Sequence, residues 1–390
     1  MSEEKRAIYA LSADPITRGH INIIDRMLEI FDFVLVGIGI NPNKSYTFCL
    51  EERENLTRRA LSKYGKRIQV KSYSGLLSDF AYENQIKTVV RGARNTADFD
   101  FEKMLSDINQ GLRNSLDTYI LIADQSLSHI SSSTVKELQR HQASNISDYV
   151  PLVVKQALEL KISRQFLIGV TGGIGCGKSY VTKKLIEISK KDPDVCDFFH
   201  SIDMDELGRY ILKESKEPLH RGIRERIAEA IDKKLLVKGV IDTTRLLNLM
   251  FDSPSASVNR AVFEDIMQEP MTHLLRKELL KRKGIILINS ALFVESNICS
   301  LVNNNILFVE CPDSTRLARL RKKRRYTREQ VGNRLAAQLS PEQKIMEINK
   351  QIKLHDSGML IRFTNKNKND KEIKKLYDYL LNLDKSVRSL

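Results

Sequence analysis

The stretch Val170-Thr-Gly-Gly-Ile-Gly-Cys-Gly-Lys-Ser-Tyr180 lies near the middle of the 390-residue chain and fits G-x-x-x-x-G-K-[ST] from Gly172 to Ser179. A strand-like run precedes it, and the helical pattern SYVTKKLIEIS follows. In this context backbone N–H groups surround a β-phosphate, Lys178 neutralises the β- and γ-oxygens, and the Ser179 hydroxyl can bind Mg²⁺. The alternative is a glycine-rich turn with a surface lysine. The spacing and its flanking elements favour a phosphate-binding loop.

Composition places the chain among soluble globular proteins, because 42% of its residues are hydrophobic and 29% are charged. Its length of 390 residues suggests two or three domains. No apolar run approaches the ~18 residues of a membrane span, and the start MSEEKRAIYALS lacks the pattern of a secretion signal. We therefore expect no membrane partner. The five cysteines stand singly, so we expect a reducing, cytoplasmic location. The net charge of +14 indicates anionic partners: nucleic acid, an acidic membrane surface or phosphate-rich small molecules.

Strand and helix patterns alternate on both sides of a short polar linker, KISRQ. The predicted strands before it are RAIYAL, FVLVGIGI, IQVKSY, TVVRG and TYILIA, and those after it are FLIGV, FFHSI, GIILIN and NILFVE. Helices are predicted at Gly19–Phe31, Leu50–Tyr64, Leu76–Asn84, Phe99–Leu112, Ser132–His141 and Pro151–Leu160, with an amphipathic helix in the tail after Phe363. We expect an α/β fold with two parallel-sheet domains, residues 1–162 and 163–390.

Two carboxylates follow the second predicted strand of the second domain, in SIDMDELGR. A small-molecule kinase needs a carboxylate to orient the acceptor hydroxyl and to accept its proton as the γ-phosphoryl group leaves. Asp203 and Asp205 meet this need, although a D-x-D pair alone usually caps a helix. ATPase motors and GTPases carry an Asp at the end of a later strand, where this chain offers Asn289 and Ser290. The pattern therefore favours a kinase.

From Phe166 to Gly358 the chain resembles the dephospho-CoA kinase family, P-loop enzymes that phosphorylate the ribose 3′-hydroxyl of dephospho-CoA. The matching motifs are TGGIGCGKS, IDMDELGR, ALFVES and RLAAQLSPEQK. The resemblance implies that Asp205 is the catalytic base, that Asp203 supports it or the Mg²⁺ ion, and that both line the acceptor site with Arg209 and Glu295. The implied ATP site consists of Gly173, Gly175, Cys176, Gly177, Lys178, Ser179, Tyr180 and Lys323, with Lys178 catalytic and Ser179 the Mg²⁺ ligand.

Six of the seven residues from Arg319 to Arg325 are basic. Such a run is typical of a solvated face or a nucleic-acid contact. The resemblance places it instead in the kinase lid, whose cations close over the ATP phosphates, so we expect no nucleic-acid partner. The family usually has arginine at Lys323, where a lysine supplies a point charge in place of a bidentate fork. KLHDSG also stands where the family has roughly V-I-x-N-x-G.

The first half contains Ser12-Ala-Asp-Pro-Ile-Thr-Arg-Gly-His20 between its first strand and first helix. A hydroxyl at the strand end and a histidine in the first helical turn both face the positive pole of the helix, which suits a phosphate. An Asp-Pro turn capped by Thr17, with a surface histidine, explains this stretch equally well. Other polar groups at predicted strand ends favour the phosphate site, since open parallel sheets bind ligands there. They are Lys44, Arg91, Arg94 and Ser131–Ser133.

From Arg6 to Ile162 the chain resembles bacterial phosphopantetheine adenylyltransferases, which have a Rossmann-like nucleotidyltransferase fold. NPNK, CLEERE, GLLSDFA, VVRGAR, DFDFE and ISSSTVKE add to the shared T-x-G-H signature. The implied reaction is attack of the 4′-phosphopantetheine phosphate on the α-phosphorus of ATP, with release of pyrophosphate. Members are typically hexameric, which implies a possible homo-oligomer through this domain.

The same resemblance implies residue roles. His20 donates to the ATP phosphate on which charge grows, and Lys44 bridges the attacking and attacked phosphates. The implied ATP site consists of Ser12, Ala13, His20, Gly92, Ala93, Arg94, Glu102, Ser131, Ser132 and Ser133. The implied pantetheine site consists of Ser12, Lys44, Leu77 and Arg91.

One departure concerns the family motif P-G-[ST]-F-D-P, which reads Ala10-Leu-Ser-Ala-Asp-Pro15 here. A side chain at Leu11 can crowd the backbone that approaches ATP, so we expect slow adenylylation. The prediction is a fused, Mg²⁺- and ATP-dependent enzyme for the last two steps of coenzyme A synthesis. Three alternatives stay open: a chain in which only one half is active, a different nucleotidyltransferase–nucleotide kinase fusion, and a nucleic-acid-binding regulator.

Overall fold

The computed structural model describes residues 4–388 apart from residues 43, 111–115, 196–197, 313, 317–318, 320–338 and 367–368. The chain divides into two compact units, with the boundary between Ser163 and Arg164. Across the described ranges, no helix combines the length and apolar character that a membrane crossing requires.

Unit 1 contains a five-stranded parallel sheet in the order β3-β2-β1-β4-β5. Its strands are β1 (Arg6–Leu11), β2 (Phe33–Ile38), β3 (Ile68–Ser72), β4 (Thr88–Ala93) and β5 (Asp117–Ile122). Its helices are α1 (Arg18–Ile30), α2 (Leu50–Ala60), α3 (Leu77–Glu83), α4 (Thr96–Gln110), α5 (Ser132–Arg140), α6 (Ile146–Tyr149) and α7 (Leu152–Leu158). The strand order reverses between β1 and β4, and such a switch point is where open parallel sheets bind ligands.

The central strand β1 is buried on both faces. Ala7 and Tyr9 belong to the larger apolar cluster, which includes Ile24 of α1, whereas Ile8 and Ala10 belong to the cluster on the other face. Side chains alternate across a strand, so a strand covered on both faces needs apolar residues at consecutive positions. This requirement explains the continuous apolar run of β1.

Unit 2 contains a second five-stranded parallel sheet, in the order β12-β11-β6-β10-β7. Its strands are β6 (Gln165–Thr171), β7 (Phe199–Asp203), β10 (Gly284–Asn289), β11 (Asn305–Glu310) and β12 (Met359–Thr364), and β8 (Leu236–Val237) pairs separately with β9 (Val240–Ile241). Its helices are α8 (Lys178–Ser189), α9 (Met204–Arg209), α10 (Pro218–Ala230), α11 (Thr243–Phe251), α12 (Ala256–Leu280), α13 (Pro341–His355) and α14 (Asp370–Arg388). Every residue of β6 and β10 is buried.

The two predicted parallel sheets are confirmed, with local corrections. The predicted helix Leu50–Tyr64 ends at Ala60, and a 3₁₀ turn follows. KLHDSG forms the end of α13 and a turn in which Asp356 has a φ of 45°. The strand β12 begins only at Met359. This strand escaped prediction because it lies at the sheet edge, where only Ile361 of its six residues is buried and Arg362 interrupts the apolar pattern.

Candidate active sites

Helix α1 begins with a reciprocal cap between Thr17 and His20. The backbone N–H of Thr17 donates to Nδ1 of His20 at 3.0 Å, and the Thr17 hydroxyl accepts from the His20 N–H at 3.4 Å. Because Nδ1 is an acceptor, the neutral ring carries its proton on Nε2. Burial, together with the charges of Arg94 and Lys44, lowers the pKa of His20 to about 4. At neutral pH the ring is therefore uncharged and has an Nε2–H group to donate.

The loop between β1 and α1 is anchored by the buried carboxylate of Asp14. It accepts from the backbone N–H groups of Thr47, at 3.1 Å, and Phe48, at 2.9 Å, and from Nζ of Lys136 in α5 at 2.6 Å. One carboxylate thus ties together three segments that contain predicted site residues. Neither Asp14 nor Lys136 was among the predicted site residues, although both lie inside the quoted motifs.

A second anchor of the same loop is Arg53 of α2. This residue is only 2% exposed. Its Nη1 donates to the carbonyl of Ser12 at 2.6 Å and to that of Gly39 at 2.9 Å. Ala13 is buried in this loop with a φ of 47°. The side chain of Leu11 packs against the larger apolar cluster of unit 1.

At the carboxyl end of β4, Arg91 forms an ion pair with Glu102 of α4. Its Nε lies 2.9 Å from Oε2 of Glu102, and its Nη1 donates to the carbonyl of Ala10 at 2.9 Å. Burial raises the pKa of Glu102, while the charges of Arg91 and Lys44 oppose this shift. The pair therefore connects β4, α4 and the end of β1.

The remaining predicted residues of β4 pack tightly. A Cβ at Gly92 would lie 3.2 Å from the Ile23 side chain of α1, so a larger residue there would press on the helix that carries His20. Ala93 is buried, and Nε of Arg94 donates to Asp98 at 2.9 Å.

The amino terminus of α5 lies against the loop after β1. Ser131 is the N-cap and accepts from the N–H of Thr134 at 3.0 Å, and the hydroxyl of Ser132 donates to the carbonyl of Pro15 at 2.8 Å. Ser133 is exposed. Leu77, at the start of α3, packs against the second apolar cluster of unit 1.

In unit 2 the phosphate-binding loop follows β6 as predicted, and its glycines are required by its surroundings. Gly172 has a φ of 140°, and a Cβ there would lie 2.1 Å from the carbonyl oxygen of Val309. Gly177 has a φ of 89°, and a Cβ there would lie 2.4 Å from Nδ2 of Asn365. Neither space admits a side chain.

Lys178 begins α8, and its Nζ donates to the carbonyls of Gly172 at 3.0 Å and Gly173 at 3.3 Å. Burial lowers the pKa of Lys178, whereas the carboxylates of Asp205 and Asp203 raise it. The structure thus brings the lysine into the electrostatic range of the acid pair.

The other predicted ATP-site residues lie along this loop and helix. Gly175 has a φ of 84° and Cys176 is buried. Ser179 is exposed in the first turn of α8, and the hydroxyl of Tyr180 donates to Asp370 at 3.2 Å. Lys323 lies outside the described residues.

The two predicted acids differ in their contacts. Oδ1 of Asp203 accepts from the backbone N–H groups of Asp205, at 3.0 Å, and Glu206, at 3.4 Å, so Asp203 caps α9. Asp205 lies in the first turn of that helix and is exposed. Arg209 ends α9 and pairs with Glu214 at 3.2 Å.

Glu295 is paired with a buried lysine that was not predicted as a site residue. Nζ of Lys344 lies 2.9 Å from Oε1 of Glu295 and donates to the carbonyl of Ala291 at 2.9 Å. Lys344 also lines a cavity of about 270 Å³ with Gly173 and Arg316. The glutamate therefore lies close to the phosphate-binding loop.

Comparison with known proteins assigns a family to each half of the chain. Residues 166–358 match the family model described as dephospho-CoA kinase, and residues 9–138 match the cytidylyltransferase-like model. The phosphopantetheine adenylyltransferase of Alkaliphilus metalliredigens (strain QYMF) is 40% identical over 157 residues, which are 40% of this chain and 99% of that protein.

Among solved structures, the crystal structure of TT1252 from Thermus thermophilus aligns with 56% of this chain and 97% of its own, at 21% identity and a TM-score of 0.41. Crystal structures of NadR, one in complex with NR and one with NAD and AMP-PNP, align with 92% and 97% of this chain and with 89% and 96% of their own. Their identities are 15% and 14%, and both TM-scores are 0.33. At these scores the alignments support no functional conclusion.

The two sheets and their sites define a nucleotidyltransferase joined to a P-loop kinase. The chain belongs to the phosphopantetheine adenylyltransferase family through its first half, and its second half is a dephospho-CoA kinase domain. It is a bifunctional enzyme.

Proposed function

We propose that the chain carries out the last two steps of coenzyme A biosynthesis, with residues 1–162 as the adenylyltransferase and residues 163–390 as the kinase. Two candidate phosphate sites of different chemistry support this proposal. Unit 1 has a neutral, tautomer-fixed His20 near the charges of Arg94 and Lys44, and unit 2 has Lys178 within the electrostatic range of an acid pair. The alternatives with one inactive half or with a different fusion are not favoured.

In the first reaction, a phosphate oxygen of 4′-phosphopantetheine attacks the α-phosphorus of ATP, and the bond to the β-phosphate breaks to release pyrophosphate. His20 donates from Nε2 to the ATP phosphate on which charge grows, and Lys44 neutralises the two phosphates that approach each other. The bond from the Thr17 N–H holds the His20 ring in place, so its donation to the transition state costs little reorganisation.

We assign the substrate-binding residues of this first site as the family resemblance implies. Arg91 and Leu77 serve the pantetheine side with Lys44 and Ser12. The ATP side is formed by Ser12, Ala13, His20, Gly92, Ala93, Arg94, Glu102, Ser131, Ser132 and Ser133. The bond from Ser132 to the loop after β1 supports this assignment, since it joins the two segments that hold ATP.

In the second reaction, the ribose 3′-hydroxyl of dephospho-CoA attacks the γ-phosphorus of a second ATP molecule. The bond from the γ-phosphorus to the β,γ-bridging oxygen breaks, and ADP leaves. Asp205 accepts the hydroxyl proton, and Lys178 moves from the loop carbonyls to the β- and γ-oxygens. Asp203, Arg209 and Glu295 hold the acceptor. The cap formed by Asp203 supports this assignment, because it fixes the backbone of Asp205 at the start of α9.

Both reactions use Mg²⁺ with ATP in this proposal, and the donor set fits such an ion. Within the described residue ranges, no group of three or more His, Cys, Asp or Glu side chains could hold a metal. Mg²⁺ in nucleotide sites is held by one or two protein oxygens together with phosphates and water, and the exposed hydroxyl of Ser179 suits this role. The ion would neutralise charge on the β- and γ-phosphates.

Two further assignments concern the state of the enzyme in the cell. We place it in the cytoplasm, because Cys49, Cys176, Cys299 and Cys311 are free thiols. We expect a homo-oligomer through unit 1, because the edge strand β5 exposes Tyr119 and Ile122 and the neighbouring α4 exposes Met104. Light scattering on the whole chain tests this expectation.

Calorimetry with ATP tests the proposal of two sites. Two molecules of ATP should bind each chain at saturation, and Lys178→Ala should weaken only one of the two. Addition of 4′-phosphopantetheine should compete with dephospho-CoA at unit 1, whereas nicotinamide nucleotides should not. A single ATP molecule per chain, or competition by the nicotinamide nucleotide, would exclude the proposed pair of reactions.

A further inference from the structure

We propose that Asn365 is a positioning residue for the phosphate-binding loop of unit 2. Its side-chain amide fixes the peptide between Cys176 and Gly177 and so orients the N–H group of Gly177 toward the ATP phosphates. The inference rests on the kinase half of the proposed function.

The contacts place Asn365 against the loop. It follows β12, is 3% exposed, and its Nδ2 donates to the carbonyl of Cys176 at 2.9 Å. The backbone N–H of Asn365 donates to the carbonyl of Glu310 at the end of β11 at 2.7 Å. The sheet therefore holds the backbone of Asn365, and its short, buried side chain presents the amide group to the loop.

A second donor acts on the same carbonyl. Nη1 of Arg319 lies 3.2 Å from the Cys176 oxygen and 3.3 Å from the Gly175 oxygen. Arg319 is the first residue of the basic run that was predicted to act as a lid. In this structure its guanidinium contacts two backbone carbonyls of the phosphate-binding loop.

The geometry of the peptide bond explains why a carbonyl contact orients an N–H group. The peptide from Cys176 to Gly177 is trans, so its C=O and N–H point in opposite directions. Gly175 and Gly177 both have positive φ angles, and glycine changes between such conformations at little steric cost. The loop therefore needs an external restraint to keep its N–H groups directed at the phosphates before ATP binds.

Gly177 and Asn365 also fit each other sterically. A Cβ at Gly177 would lie 2.4 Å from Nδ2 of Asn365, closer than non-bonded atoms approach. Glycine at position 177 thus allows the left-handed backbone conformation and leaves space for the side-chain amide of Asn365.

Replacement of Asn365 by alanine tests the proposal. In the phosphorylation of supplied dephospho-CoA, we expect the KM for ATP to rise about tenfold, because one of two donors to a buried carbonyl is lost. The KM for dephospho-CoA and the rate of adenylyl transfer by the same chain should stay within about twofold. Calorimetry should show the same loss of ATP affinity at one ATP site. This measurement tests the positioning role of Asn365 even if the phosphoryl acceptor is another nucleotide.

Asn259→Ala is the matched control, since Nδ2 of Asn259 also donates to a backbone carbonyl at 2.9 Å, that of Leu249, between α11 and α12. It should leave the KM for ATP unchanged. If Asn365→Ala does not fold, Asn365→Asp keeps the size but lacks the donor, and it should weaken ATP binding at least as much. Unchanged ATP affinity in a folded variant would overturn the proposed positioning role of Asn365. Failure of the wild type to phosphorylate dephospho-CoA would instead overturn the proposed function.

Discussion

Oδ1 of Asp203 accepts a hydrogen bond from the backbone N–H of Asp205 at 3.0 Å, so the two acids of the D-x-D motif have different tasks. Asp203 holds the start of α9, and Asp205 lies exposed in the first turn of that helix, where our proposal makes it the base. We expect Asp205→Asn to reduce the kcat of phosphorylation by roughly 10²–10⁴-fold, the range of a lost general base, with little change in the KM for ATP. Steady-state kinetics with dephospho-CoA measures both constants.

Asp203 and Asp242 form a matched pair for separating capping from catalysis. Asp242 caps α11 and accepts from the N–H groups of Thr244, at 3.0 Å, and Arg245, at 3.1 Å. Each alanine substitution should cost about 1 kcal/mol in the free energy of unfolding. Only Asp203→Ala should also slow phosphorylation. Equal kinase rates in the two variants would show that Asp203 is a cap and nothing more.

His20 should titrate near pH 4 and not near pH 6.5. Because the folded state then takes up this proton only at lower pH than the unfolded chain, unit 1 should lose stability as the pH falls from about 6.5 toward 4. NMR titration of the ring signals, assigned with His20→Asn, measures the pKa. Arg94→Ala removes one of the charges that lower it and should raise the midpoint. A wild-type midpoint near 6.5 would contradict a lowered pKa and a neutral ring at pH 6.

Asp14 should be important for the stability of unit 1 although it contacts no substrate in our proposal. Asp14→Ala leaves the partly buried Lys136 without its partner at 2.6 Å and frees two backbone N–H groups. We expect a loss of about 3–5 kcal/mol, as for other broken buried pairs. Glu137→Ala, which removes an exposed pair with Arg140 on the same helix, should change the stability little, because solvent screens this pair. Urea unfolding of the two variants, monitored by the rate of adenylyl transfer, measures both losses of stability.

Leu11 and Ala13 replace the glycine and the aromatic residue of the related adenylyltransferases. Leu11 packs into the apolar cluster of unit 1, so its substitution tests stability as well as rate. We expect the double change Leu11→Gly and Ala13→Phe to accelerate adenylyl transfer while lowering the melting temperature, since a strand residue loses its side chain. An unchanged rate would show that the native loop does not limit the first reaction.

Much of the fold is predictable because both sheets need apolar residues at consecutive positions on their central strands. The run RAIYAL of β1 and the run GIILIN of β10 show this directly, and the glycines of the phosphate-binding loop have no alternative at φ angles of 140° and 89°. The edge strand β12 follows no such rule, and it stayed unrecognised for that reason.

The candidate sites were predictable where motifs carry the chemistry, as for His20 and Lys178. The supporting residues were not. Asn365 contacts Cys176 across 189 positions of sequence, and Lys344 contacts Glu295 only because α13 lies against the segment that follows β10. A local pattern contains no information about such contacts, which depend on strand order. The cap between Thr17 and His20 also shows that the structural and the catalytic interpretations of one motif are compatible.

Mass spectrometry of the products formed from 4′-phosphopantetheine and MgATP tests the central claim most directly. The wild-type chain should form coenzyme A, Lys178→Ala should accumulate dephospho-CoA, and His20→Ala should form neither product. Lys184→Ala, on the same helix but paired at the surface with Glu187 at 2.9 Å, should behave as the wild type. Coenzyme A formed by Lys178→Ala at the wild-type rate, or no dephospho-CoA formed by any of these proteins, would contradict the account.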